Sequence, residues 1–122
     1  MEMFKGDVLD RYSILCLKIK RLPKNKEVTG EYELFKKEVV NLIKNYPEIQ
    51  TNLDCLYEYN SKIWDLESDI RKGKEGNMTL EEVGKRALSI RNWNAYRVEE
   101  KNKVNAYFDE FIEVKVDHSS EN

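Results

Sequence analysis

Apolar residues recur along this chain at alternating three- and four-residue steps, the period at which one face of an α-helix meets a core. Val8, Tyr12, Leu15, Ile19 and Leu22 keep that rhythm in a first segment, which Asp7 is placed to cap and Pro23 to end. Residues 23–30 read as a basic, polar loop. Tyr32, Phe35, Val39, Leu42, Ile43 and Tyr46 then define a second helix that stops before Pro47. A third is expected from about Pro47 to Lys72, because proline suits a first helical position and Gly73 a C-terminal cap. After a loop over 73–77, Thr79 with Glu82 three residues on has the capping-box pattern of a fourth helix. Neither proline nor glycine interrupts that helix between Gly84 and Phe108.

The expected fold is therefore all-α: a small antiparallel bundle of about four helices with a long C-terminal helical hairpin. Residues 1–113 read as one domain and 114–122 as a flexible polar tail. A short loop makes the third and fourth helices antiparallel neighbours. Counting outward from it places Asn60 near Arg91 and Tyr57 near Asn94, to within about a turn.

On these two helices the stripes are broken by polar residues. The third reads Leu53, Leu56, Asn60, Ile63, Glu67, Ile70, and the fourth Val83, Ala87, Ile90, Asn94, Arg97, Lys101, Val104, Phe108. A polar group removed from water needs a hydrogen-bond partner and a charge needs more. Two explanations fit. In one, Arg91, Asn94, Arg97 and Lys101 line a cleft for an anion such as a phosphate, Asn60 and Glu67 orient them, and Trp64, Trp93 and Tyr96 offer flat faces to a ring. In the other the same residues form an internal ion-pair network, with Asp10 or Glu67 neutralising Arg97 or Arg91. Asp10 and Ser13 lie beside the apolar stripe of the first helix and are candidates to join the seam; a solvated Asp10 favoured by the helix dipole is the alternative.

Composition narrows these options. With 21 basic and 23 acidic residues the formal net charge is −2, so no global field draws the chain to nucleic acid or anionic lipid. The basic run Lys18, Lys20, Arg21, Lys24 and Lys26 is local and reads as a solvated face. No secretory pattern opens the sequence and no apolar run is long enough for a membrane span, so a cytoplasmic location is expected. Cys16 and Cys55 stand singly and the sole histidine, His118, falls in the polar tail, so neither a metal nor a cofactor is expected. A helical pyrophosphohydrolase would need paired carboxylates at helical spacing to hold magnesium. Glu110 with Glu113 has that spacing without a matching second pair, and Asp65 with Asp69 faces away from the core stripe. Binding is thus expected ahead of catalysis, with a nucleotide-processing enzyme and a helical protein–protein adaptor as competing classes. Aromatics exposed on long helices add a homo-oligomer to the expected states.

Three segments carry a resemblance: Gly6 to Leu15, with Asp10-Arg11-Tyr12-Ser13-Ile14-Leu15; Asn60 to Arg71, with Asn60-Ser61-Lys62-Ile63-Trp64-Asp65-Leu66-Glu67-Ser68-Asp69-Ile70-Arg71; and, more loosely, Arg91 to Asn105. Together they resemble a family of short, uncharacterised helical proteins of bacteria and tailed phages. The resemblance implies roles for Asp10, Ser13, Asn60, Trp64, Glu67, Arg71, Asn94 and Arg97, but brings no activity with it. Small helical phage proteins include sponges for nucleotide signals of bacterial immunity. The leading expectation is therefore a non-catalytic protein that sequesters a phosphorylated, nucleotide-like molecule in the polar seam, through Asp10, Ser13, Tyr57, Asn60, Trp64, Glu67, Arg71, Arg91, Asn94, Arg97 and Lys101.

Overall fold

A computed structural model describes residues 2–110, apart from the side chains of residues 74 and 75. The tail expected at 114–122, and Glu113 of the carboxylate pair, lie outside the described residues. Four α-helices account for most of the rest: α1 Lys5–Arg21, α2 Lys26–Asn45, α3 Gln50–Glu75 and α4 Leu80–Tyr107, with a 3₁₀ turn at Pro47–Ile49 before α3. No strand occurs among the described residues, and none of their helices is long and apolar enough to cross a membrane.

The helix ends differ from the periodicity in instructive ways. Asp7 does not cap α1, which begins at Lys5 without a side-chain cap of its own at Phe4. Its first amide is satisfied from the far end of the chain, where Glu110 accepts from the Lys5 backbone N–H at 2.8 Å and from its ammonium at 3.0 Å. The loop expected over 23–30 is shorter, because Asn25 accepts from the Val28 amide and starts α2 five residues earlier than Gly30 would suggest. Gly73 does not end α3; it sits inside the last turns, and Gly76 is the C-cap. The Thr79–Glu82 capping box forms as expected.

Helices α3 and α4 pair along their lengths as an antiparallel hairpin. Asn52 reaches Glu100 at 2.6 Å, the Tyr59 ring lies 5.8 Å from Trp93 and 6.0 Å from Tyr96, and Arg86 lies 3.8 Å from Asp69. That register agrees within about a turn with counting outward from the loop. Helix α1 runs antiparallel to α4, meeting it successively at Gly6 with Asn105, Asp7 with Lys101 and Asp10 with Arg97. Helix α2 packs on the other side of α1, where the Tyr12 and Tyr32 rings stack 5.7 Å apart and Arg11 holds Glu31 with two hydrogen bonds.

The core forms where all four helices meet: Val8, Leu9 and Leu15 of α1, Phe35 and Val39 of α2, Ile49 of the 3₁₀ turn, Leu53 and Leu56 of α3 and Val104 of α4. One contact there depends on a missing side chain. Gly6 packs so tightly on α4 that an added Cβ would collide with the Lys101 carbonyl and with Asn105, whose Oδ1 accepts from the Gly6 amide at 2.7 Å. The hairpin tip has less support. Leu80 and Leu88, off the expected stripe, are 90% and 56% exposed, and the stripe positions Ile70, Val83 and Ile90 are only partly buried there.

Candidate functional site

Where α1, α3 and α4 converge, a charge is buried. Asp10 is 5% exposed and stands on α1 facing both other helices. Its Oδ1 accepts from Asn60 Nδ2 at 2.9 Å and from Arg97 Nε at 3.0 Å, while Oδ2 lies 3.2 Å from the same Nε and 3.9 Å from Lys101 Nζ. Lys101 also pairs with Asp7 at 3.0 Å, and Arg97 donates a further bond to Asn94 Oδ1 at 3.0 Å. Ser13, fully buried, donates to the Asp10 carbonyl at 2.7 Å and accepts from Asn60 Nδ2 at 2.8 Å. A carboxylate taken from water is tolerated only with such a set of donors.

Six of the residues expected in the seam therefore come together: Asp10, Ser13, Asn60, Asn94, Arg97 and Lys101. Their arrangement matches the ion-pair explanation, since the cationic groups face carboxylates of the same chain and not an open cleft. Asn60 meets α4 through Asp10 and Arg97; it forms no bond with Arg91. Arg71 and Arg91 are exposed and make no hydrogen bond or ion pair among the described residues. Tyr57 is half-buried on α3, outside the hydrogen-bonded group. Trp93 and Tyr96 pack with Tyr59 as an aromatic cluster on the hairpin, their own rings 5.6 Å apart.

Beside the network lies a cavity of about 240 Å³ between α1 and α3, lined by Ile14, Leu17, Lys18, Asn60, Trp64 and Glu67. Asn60, Trp64 and Glu67 follow one another at four and three residues, so all fall on one face of α3. Arg21 at the end of α1 fixes the tryptophan, its guanidinium 5.3 Å from the ring centroid and bonded to Asp65 at 2.7 Å and to Ser61 at 3.2 Å. Larger hollows at the α1–α2 turn and at the hairpin tip are more open and lie away from the buried polar groups.

Asn60 connects the cavity to the network, and its chemistry there is determined by its neighbours. The Asp10 carboxylate can only accept, and the Ser13 hydroxyl hydrogen is directed at the Asp10 carbonyl. Both bonds from Asn60 must therefore come from its NH₂ group, which leaves the carbonyl oxygen pointing elsewhere. That oxygen accepts from no described residue. No sealed side-chain nitrogen or oxygen among the described residues lacks a partner, so Asn60 Oδ1 is not fully sealed although the residue is only 6% exposed.

Sequence reasoning missed several contributors. Lys18, which the basic run places on a solvated face, lines the cavity together with Leu17. Asp7, expected as the cap of α1, is instead the partner of Lys101. Asn105 lies one turn after Lys101 on the same stripe, a signal that would have placed it against α1. Glu100, 6% exposed and held by Asn52 at 2.6 Å, had no sequence signal, because its partner lies 48 positions away. The two thiols are half-buried, and burial pushes both Cys16 and Cys55 above the ordinary thiol value.

No protein-family model, curated protein or solved structure matches this chain significantly.

Proposed function

We propose that the protein is a non-catalytic binding module that holds a small nucleotide-like molecule in the cavity between α1 and α3, ring end first. The observation that carries this reading is the unpaired acceptor of the buried Asn60, a residue that lines the cavity together with Trp64. Small-molecule sites are mostly apolar concavities with a few oriented polar groups, and this lining has that composition. Holding is favoured over turnover because Glu67 is the sole carboxylate among the lining residues and faces no second carboxylate or histidine there.

A phosphate on such a ligand is met by Lys18, the cation among the lining residues, whereas Arg21 is already paired with Asp65. Arg97 and Lys101, the expected anion binders, are matched by Asp10 and Asp7 and serve to position Asn60. Retention without turnover is the chemistry of a sponge that lowers the concentration of a nucleotide signal. A helical adaptor is the competing reading, favoured by the exposure of Leu88, Tyr96 and Val98 on α4 at 56%, 51% and 48%.

The test is to incubate the purified protein with a mixed nucleotide pool, remove unbound material, denature the protein and identify what is released by mass spectrometry. Recovery of one nucleotide unchanged supports the proposal. Accumulating products would make the protein an enzyme, and an empty protein would favour the adaptor.

A further inference from the structure

We infer that the cavity selects a planar ring by its hydrogen-bond donor edge, accepting the exocyclic amino group of an aminopyrimidine or aminopurine on Asn60 and rejecting rings whose edges carry only acceptors. The inference rests on the proposed binding role and adds the chemical class of the group that enters.

An asparagine side chain ordinarily offers two donors and an acceptor, and so reads donor and acceptor edges alike. Here that versatility is removed. Asn60 Nδ2 is engaged by Asp10 Oδ1 at 2.9 Å and Ser13 Oγ at 2.8 Å, so only Oδ1 is available to a ligand. The orientation cannot invert, because turning the amide would set a carbonyl oxygen against the Asp10 carboxylate and leave Ser13 Oγ without its donor. Arg97 fixes the carboxylate in turn from α4 with contacts to both of its oxygens at 3.0 and 3.2 Å. The seam thus converts an ambivalent amide into a fixed acceptor.

The rest of the lining agrees with an amino-bearing ring. Glu67, two turns further along the same face of α3, is a second acceptor at the cavity margin. Trp64 stands between Asn60 and Glu67 in sequence and supplies a flat surface, while Ile14 and Leu17 close the apolar side from α1. Lys18 is the one cationic lining group, placed for a ring carbonyl or a phosphate. At about 240 Å³ the space is below the roughly 300 Å³ at which drug-sized sites begin, so a single ring system enters and the remainder of the molecule stays outside.

The experiment uses Trp93→Phe protein, in which Trp64 is the remaining tryptophan, and follows its fluorescence on titration with matched nucleotides. Cytidine 5′-monophosphate is compared with its N4,N4-dimethyl analogue, and adenosine 5′-monophosphate with its N6,N6-dimethyl analogue. At least one amino-bearing member is expected to quench Trp64, with its dimethylated partner weaker by roughly tenfold or more, the loss of one buried hydrogen bond. Glu67→Gln, at an exposed position, is expected to weaken the amino-bearing ligand severalfold without lowering Tm. Equal binding of amino and dimethylamino forms, preference for the dimethylated form, or no quenching by any of the four overturns the inference. If the pool experiment still recovers a bound nucleotide in any of those cases, the donor-edge inference fails while the binding role stands; an empty protein in both experiments removes both.

Discussion

Arg97 Nε reaches both carboxylate oxygens of Asp10, at 3.0 and 3.2 Å, across 87 positions of sequence. This contact ties the C-terminal helix to the first, and through Asn60 it also orients the cavity between α1 and α3. The network is both a structural clasp and the support of the proposed site, so its two roles must be tested by different substitutions.

Replacing Asp10 by Asn removes the charge that neutralises Arg97 while keeping the shape. Breaking a buried pair leaves the partner uncompensated, and a loss of about 3 kcal/mol in urea unfolding is expected. Arg97→Met alone should also destabilise, because Asp10 then keeps only the more distant Lys101, at 3.9 Å, as a cationic partner. The double variant Asp10→Asn with Arg97→Met should lose clearly less than the sum; strict additivity would show that the two groups do not interact in solution.

Two glycines of the same residue type should respond in opposite directions. Gly6→Ala drives a methyl group into the Lys101 carbonyl and Asn105, so α1 must move off α4, at a cost of about 1–3 kcal/mol. Gly84→Ala lies in open space within α4 and should stabilise by roughly 0.5–1 kcal/mol through helix propensity. Thermal melts of the two variants decide the matter, and a neutral Gly6→Ala would mean that α1 and α4 do not approach as closely as the structure shows.

The hairpin tip depends on local signals more than on the core. Thr79→Ala removes the side-chain acceptor for the Glu82 amide and is expected to cost about 1 kcal/mol. Hydrogen exchange should show the loss concentrated in the first turns of α4, with the amides around Val104 little changed.

Arg11 holds the Glu31 carboxyl below its ordinary value, chiefly through their hydrogen bonds. A carboxylate whose folded pKa is lowered contributes stability above its unfolded pKa and loses it as pH falls through the folded value. Wild type should therefore melt above Glu31→Gln near pH 7, and the gap should close on acidification below the ordinary carboxylate range. Both side chains are about one-third exposed, at 37% and 36%, so screening keeps the difference to a few tenths of a kcal/mol. A gap that widens in acid would contradict the pairing.

Local chemistry made the helices readable. Periodic apolar positions, Pro23, Pro47 and the Thr79–Glu82 box specify α-helices because hydrogen bonds and caps close within a few residues of one another. Where the reading failed, the signal was nonlocal or ambiguous. Glu110 supplies the partner for the start of α1 from the opposite end of the described chain, and glycine at 73 is compatible with either a cap or a helix interior. Counting from the hairpin loop also located the middle of α3 against the middle of α4, since antiparallel helices of constant rise have few registers to choose from.

The polar stripe was equally visible, but its meaning was not. A sequence of alternating helix faces cannot show whether Arg97 and Lys101 meet an anion from outside or carboxylates from α1, because that depends on how α1 is rotated and how closely Gly6 lets it approach. Only the packed bundle set Asp10 against Arg97 and Asp7 against Lys101, and only then did Asn60, its amide nitrogen held by Asp10 and Ser13, come to line a cavity. Helix type followed from interactions between near neighbours in the chain; the partners of the buried charges were decided by contacts that exist once three helices converge.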